Sequence, residues 1–141
     1  KIINITMLTH RGFPGMTHSV AARAGVEAMT QTLAVEWANK GILINAIQPG
    51  IIASSGMYNY PGGIQIASGA RSEIPLKRLG ACDEVSHLVS FLSSPAGNYI
   101  TGQVLTIDGG RSLWGRLWPI PDPPEMPEVD IPKWPWEEKD Q

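Results

Sequence analysis

Apolar residues change their spacing several times along the chain, and each change marks an element. Lys1-Ile2-Ile3-Asn4-Ile5-Thr6 is a short β-branched run that reads as a buried parallel strand. Gly12, Pro14 and Gly15 then break structure and predict a loop at that strand's carboxyl end. From His18 the period turns helical. Val26, Met29, Leu33 and Trp37 recur at three- and four-residue steps as one apolar stripe, while Ala21, Ala22, Ala24 and Ala28 raise helix propensity on a second side. Lys40 and Gly41 supply the stop, with the cation placed against the helix dipole. Ile42 to Ile47 is then nearly continuous apolar sequence, as expected of a parallel strand covered on both faces, and Pro49-Gly50 breaks it.

The segment Ile51 to Ser72 mixes Ser54, Ser55, Gly56, Tyr58, Tyr60, Pro61, Gly62 and Gly63 and has no clear period. A long loop over the carboxyl edge of a sheet predicts a lid or binding loop, with a disordered segment as the alternative. Ile74 to Gly80 is a turn-rich link. Asp83 is placed to cap a second amphipathic helix carrying Val85, Leu88, Val89 and Leu92. Val104 to Ile107 gives a third strand, closed by Asp108-Gly109-Gly110. The order is β-α-β-loop-α-β. Right-handed crossovers would put both helices on one face of a three-stranded parallel sheet and leave the other bare. The chain therefore reads as half of a doubly wound α/β domain. No Gly-rich turn joins a strand to a helix, so the element that would hold a cofactor pyrophosphate is missing from it.

Charge separates the body from a tail. Residues 1–118 hold more basic than acidic groups, whereas Pro119 to Gln141 carries Asp122, Glu125, Glu128, Asp130, Glu137, Glu138 and Asp140 against Lys133 and Lys139. Seven of the twelve prolines also fall there, interleaved with Trp134 and Trp136, which predicts an appended segment without a core. Basic residues are scattered, which speaks against nucleic-acid binding. One cysteine, Cys82, excludes an internal disulfide and a Cys-based metal site, and three scattered histidines make no metal site either. No apolar run reaches membrane-spanning length. A start at Lys1, directly in strand-like sequence, points to a fragment or a processed product.

Asn4-Ile5-Thr6, the AGVEAMTQTLAVEWA helix, INAIQPG, the PLKRLG link and ITGQVLTIDGG together resemble the short-chain dehydrogenase/reductase family. The likeness covers about residues 1–112 and corresponds to the C-terminal half of that family's Rossmann-type domain, with 113–141 as the Pro/Trp-rich acidic tail. Within the family, HSVAARAGV and DGGRSLW are similar to the peroxisomal trans-2-enoyl-CoA reductases, and VEAM and NAIQPG to the 2,4-dienoyl-CoA reductases. The resemblance implies NADPH as cofactor, a fatty enoyl-CoA as substrate, and a homo-oligomer packed through the 18–40 helix. It also implies a peroxisomal location, although Lys139-Asp140-Gln141 is no peroxisomal tripeptide.

The family's ordinary chemistry uses a strand-end hydroxyl and a Tyr held four residues before a Lys. Matching on AGV places Ser19 at the Tyr position and Arg23 at the Lys position, and the strand-end hydroxyl falls at Thr6 or is lost at Met7. Arg23 retains a fork of donors for ribose hydroxyls, without being equivalent to Lys. A serine is too weak an acid to replace Tyr simply, which counts against a common carbonyl reductase. An enoyl reductase mainly needs donors aimed at a thioester oxygen, for which Ser19, Thr6 and the ribose held by Arg23 are the candidates. Pro49, Gly50, Ile51 and Ile52 match the stretch that contacts the nicotinamide. The rival expectation is a non-catalytic relative kept as an interaction module, and a further one is a dienoyl-CoA or carbonyl reductase.

Overall fold

The computed structural model describes residues 1–59 and 62–125. Three parallel strands form the main sheet in the order β1-β2-β5: β1 is Ile2–Ile5, β2 is Ile44–Pro49 and β5 is Val104–Ile107. The register pairs Ile5 with Ile47 and Pro49 with Ile107. This mixed α/β architecture with a parallel sheet is the one expected. The central strand is the core, since Ile44, Asn45, Ala46, Ile47 and Gln48 are all buried. Both of its faces are covered, which explains its unbroken apolar character.

Helix α1 spans Thr17–Glu36 and is followed by a 3-10 turn at Ala38–Lys40, so the regular helix ends four residues before the predicted stop. Gly41 closes the turn at φ 70°, in the left-handed region that glycine enters without a Cβ penalty. The inward face of α1 is not the predicted stripe. Met29 is 46% exposed, while Thr30 beside it is fully buried. Hydrogen bonding explains the difference. The Thr30 hydroxyl donates to the Val26 carbonyl and accepts from Asn4 Nδ2, each at 2.8 Å, so a polar residue fits the interface and ties β1 to α1. The outer face, with Ala21, Ala24, Ala28 and Val35, is exposed.

Between β2 and β5 lies more structure than a loop. A small parallel pair joins β3, Ile52–Ala53, to β4, Gly80–Ala81. Helix α2 covers Ser55–Tyr58 and α3 covers Gly63–Glu73. The expectation of an irregular lid over 51–72 is therefore corrected: this segment is mostly helical. Gly63 and Ala70 on α3 are buried, as is Ile74 just beyond it, and Ala67 is half-buried. Glycine and alanine at that spacing carry an inward face with almost no hydropathy signal.

Helix α4 is Cys82–Ser93. Its N-cap position is Ala81 rather than Asp83, and the role predicted for Asp83 is taken by Glu84, whose Oε2 accepts the Ala81 N–H at 2.8 Å. At its other end, Lys1 Nζ donates to the Leu92 carbonyl at 3.0 Å and to that of Ser94. Lys1 alternates with Asn4 along β1, and Asn4 faces α1, so α4 lies against the opposite face. Placing both helices on one face was thus an error. With the strands stepping in one direction and the helices on opposite faces, the two crossovers have opposite hands. The β3-α2-α3-β4 excursion leaves and returns at one place, since β4 pairs with β3, before α4 begins.

Candidate active site at the carboxyl edge of the sheet

The β1–β2 register sets Met7 level with Pro49, and helix α1 starts above them. Ser19 and Arg23 stand one helical turn apart on the face of α1 that meets this edge, where residues four apart are neighbours. Arg23 Nη1 donates to Ser19 Oγ at 2.7 Å, and Ser19 is buried. The hydroxyl so accepts a charge-assisted bond and keeps its own proton to donate; its remaining neighbour is Met7 Sδ at 3.9 Å, a weak acceptor.

Thr6 is not brought to this pair. Its hydroxyl donates to Glu27 Oε1 at 2.8 Å and lies 3.2 Å from the Ile47 carbonyl. The strand-end position facing Ser19 belongs to Met7. Of the three groups expected to share one oxygen, the structure joins Ser19 and Arg23 and engages Thr6 elsewhere.

Glu27 and Gln48, which the apolar pattern did not single out, form the floor of the site. Gln48 Nε2 donates to Glu27 Oε1 at 3.0 Å, and Thr106 Oγ1 donates to Gln48 Oε1 at 3.0 Å. Thr6, Gln48 and Thr106 therefore link all three strands to α1 through one polar chain. Ser19, Arg23 and Glu27 follow at steps of four, so a polar strip on the helix's inner face was the available signal.

Pro49–Gly50 packs on the end of β5. Gly50 N–H donates to the Ile107 carbonyl at 2.9 Å, and a Cβ on Gly50 would fall 2.7 Å from Asp108 Cβ. Ile51 and Ile52 line a pocket of about 80 Å³ with Leu76, Arg78, Gly80, Glu84, Ile107, Asp108 and Gly109. Asp108 is pulled in two directions. Burial opposes its charge, but the Ser112 and Gly110 N–H groups, bonded at 2.6 and 2.9 Å, hold its carboxyl below the ordinary range. Beyond it, the chain docks on the α3 end of the link: Lys77 Nζ sits 5.0 Å from the Trp114 ring centroid, and Arg116 pairs with Glu73. Residues 126–141, most of the predicted acidic tail, lie outside the described residues.

The model of the family described as enoyl-(acyl carrier protein) reductase matches residues 1–112. The chain belongs to the short-chain dehydrogenase/reductase family. It is 42% identical over 115 residues to a peroxisomal 2,4-dienoyl-CoA reductase of Danio rerio, covering 80% of this chain and 38% of that protein. It is 44% identical over 114 residues to a 3-oxoacyl-[acyl-carrier-protein] reductase of Buchnera aphidicola, covering 80% and 46%. Among solved structures, a short chain dehydrogenase from Bacillus anthracis is similar with TM-score 0.67 and 42% identity over 81% of this chain and 43% of that one. The chain thus spans less than half the length of these relatives, and its Rossmann-like strands form part of a dehydrogenase/reductase domain.

Ser19 and Arg23, the pair expected from the resemblance at the family's Tyr and Lys positions, are in contact in this short-chain dehydrogenase/reductase chain. Both Arg23 bonds among the described residues, to Ser19 Oγ and to the Ser19 carbonyl, use Nη1, which leaves the Nε and Nη2 donors without a partner there. The residues at this edge fit the nicotinamide-ribose end of a dinucleotide. No group of three or more metal-ligating side chains occurs among the described residues, and no described helix is long and apolar enough to cross a membrane.

Proposed function

We propose that this chain is the substrate-side half of an NADPH-dependent trans-2-enoyl-CoA reductase. The contact between Arg23 and Ser19 carries the reading. A serine hydroxyl lacks the acidity to protonate a ketone-derived alkoxide, but it is a competent donor to an oxygen that only gathers charge. Reduction of a double bond conjugated to a thioester builds that charge on the thioester oxygen. NADPH, when bound, would supply the hydride for the β-carbon, and water would supply the proton that the α-carbon takes up as the enolate collapses.

In this reading Ser19 Oγ–H points at the thioester oxygen, and the Arg23 cation raises its donor strength while gripping the ribose. Pro49, Gly50, Ile51 and Ile52 hold the nicotinamide carboxamide. Thr6 acts indirectly, by fixing Glu27 beneath the site. Helices α2 and α3 close over the acyl chain. The exposed outer face of α1 packs on a second subunit. Similarity to peroxisomal dienoyl-CoA reductases supports both an acyl-CoA substrate and a peroxisomal location.

The test is an assay of the complete gene product with NADPH, comparing trans-2-enoyl-CoA, 2,4-dienoyl-CoA and 3-oxoacyl-CoA of one chain length. Oxidation of NADPH fastest with the enoyl thioester is expected, and strong loss in Ser19→Ala/Arg23→Ala. Preferred reduction of the 3-oxo thioester, or full turnover by the double variant, would overturn the reading.

A further inference from the structure

Strand β1 stops at Ile5, and past it the chain turns both Thr6 and Met7 toward α1. Thr6 reaches Glu27, and Met7 reaches Ser19, about two turns nearer the start of the helix. Among the described residues, the side chains bonded to the Ser19 hydroxyl are that of Arg23, at 2.7 Å, and that of Met7, whose Sδ is 3.9 Å away. Ser19 is buried and Met7 half-buried, so the thioether keeps surface open beside the hydroxyl. The other hydroxyl of this strand end is occupied: Thr6 is buried, with its proton on Glu27 Oε1 at 2.8 Å. A thioether sulfur has no proton to donate. An oxygen received at Ser19 therefore meets one hydroxyl donor, and a soft apolar surface where a second donor could stand.

That difference separates two thioesters of one chain length. Both reductions add a hydride from NADPH to C3 and take one proton from water. In the enoyl chain the proton ends on C2, and the oxygen at Ser19 is the thioester oxygen, which shares its charge along an enolate. In the 3-oxo chain the oxygen at Ser19 is the one on C3. Its charge is localised and it must itself become a hydroxyl, so it gains more from each donor. The flat conjugated enoyl thioester is apolar on its faces and packs on a polarisable sulfur. Resting on the enoyl-CoA reading, we propose that Met7 sets the selectivity of this site, favouring a conjugated enoyl thioester and rejecting a 3-oxoacyl thioester by withholding the second donor.

The complete gene product, Met7→Ser and Met7→Leu are to be assayed with trans-2-hexenoyl-CoA and 3-oxohexanoyl-CoA at saturating NADPH. The ratio of kcat/KM, enoyl over 3-oxo, should fall about 10-fold in Met7→Ser, the worth of one added hydroxyl hydrogen bond. In Met7→Leu, which keeps the volume and also has no donor, it should stay within about twofold. The ratio is read on folded enzyme alone, so a variant that folds poorly still reports it. An unchanged ratio in Met7→Ser overturns the proposal. So does an equal fall in Met7→Leu, which would trace the effect to packing. Preference of the unaltered protein for the 3-oxo thioester overturns the enoyl reading by itself, and the ratio in Met7→Ser then still decides the role of Met7. Should neither thioester be reduced, both fall.

Discussion

Arg78 holds Glu84 through both guanidinium nitrogens, Nη1 to Oε2 at 2.8 Å and Nη2 to Oε1 at 2.7 Å. The same carboxylate caps the Ala81 N–H, so one side chain ties the link before α4 to the first turn of that helix. The bond from Arg78, then that from Ala81, outweigh burial and bring the Glu84 carboxyl from 4.5 to about 2. Its folded value lies below its unfolded one, so the stabilisation is complete above pH 4.5 and is lost as pH falls toward about 2. The Glu84 side chain is 38% exposed, and solvent screening limits the pair and cap to about 1 kcal/mol. Urea midpoints of the chain and of Glu84→Gln should differ at pH 6 and converge toward pH 3. A gap independent of pH would mean the carboxylate's charge is not what stabilises α4.

Thr30 and Asn4 form the second tie, across the buried face of α1. Thr30→Val keeps the volume but strands the Asn4 amide, at a cost of about 1–3 kcal/mol. Asn4→Leu combined with Thr30→Val should cost less than the two single changes summed, because no unpaired polar group remains. Chemical unfolding of all three variants reads this out.

The elements legible in the sequence are those whose burial is apolar. β1, β2, β5 and α4 follow Ile, Val and Leu periods, and parallel pairing follows from their continuity. Helix α1 is legible as an element but not as a face, since Thr30 is buried by hydrogen bonds and Met29 faces out. Helix α3 is hidden because Gly63, Ala67 and Ala70 turn its small side inward. The position of α4 is misread when a rule of crossover handedness is applied to a connection that holds a second, two-stranded sheet. At the site, Ser19 and Arg23 come from matching AGV to the family's pattern, whereas the bond of Thr6 to Glu27, whose carboxylate also accepts from Gln48 forty-two positions beyond Thr6, leaves no signal in the sequence.

Gly50 permits no side chain. Its Cβ would meet Asp108 Cβ at 2.7 Å and Cα at 2.8 Å, and the second of these is backbone that cannot swing away. Gly50→Ala should destabilise the chain by about 1–3 kcal/mol, as overpacking does. Because the shift falls on the Pro49–Gly50 turn, it should also weaken NADPH binding in the complete protein. A thermal melt gives the first quantity and fluorescence titration with NADPH the second. Gly25, where an added Cβ meets nothing within 4 Å, is the control, and Gly25→Ala should leave both unchanged.

Ser19 and Arg23 are expected to fail differently. On the proposed function, Ser19→Ala removes the donor to the developing oxyanion and leaves ribose contacts intact, so kcat should fall about 100-fold with the KM for NADPH nearly constant. On the same reading, Arg23→Gln removes the cation bonded to the Ser19 hydroxyl and the proposed grip on the ribose, so kcat should fall and the KM for NADPH should rise together. Arg23→Lys keeps the charge but loses the fork, and should restore the kcat more than the KM. Steady-state kinetics with an enoyl thioester separate the two residues. Identical profiles for Ser19→Ala and Arg23→Gln would mean that the pair supports the helix rather than dividing the donor and cofactor roles between them.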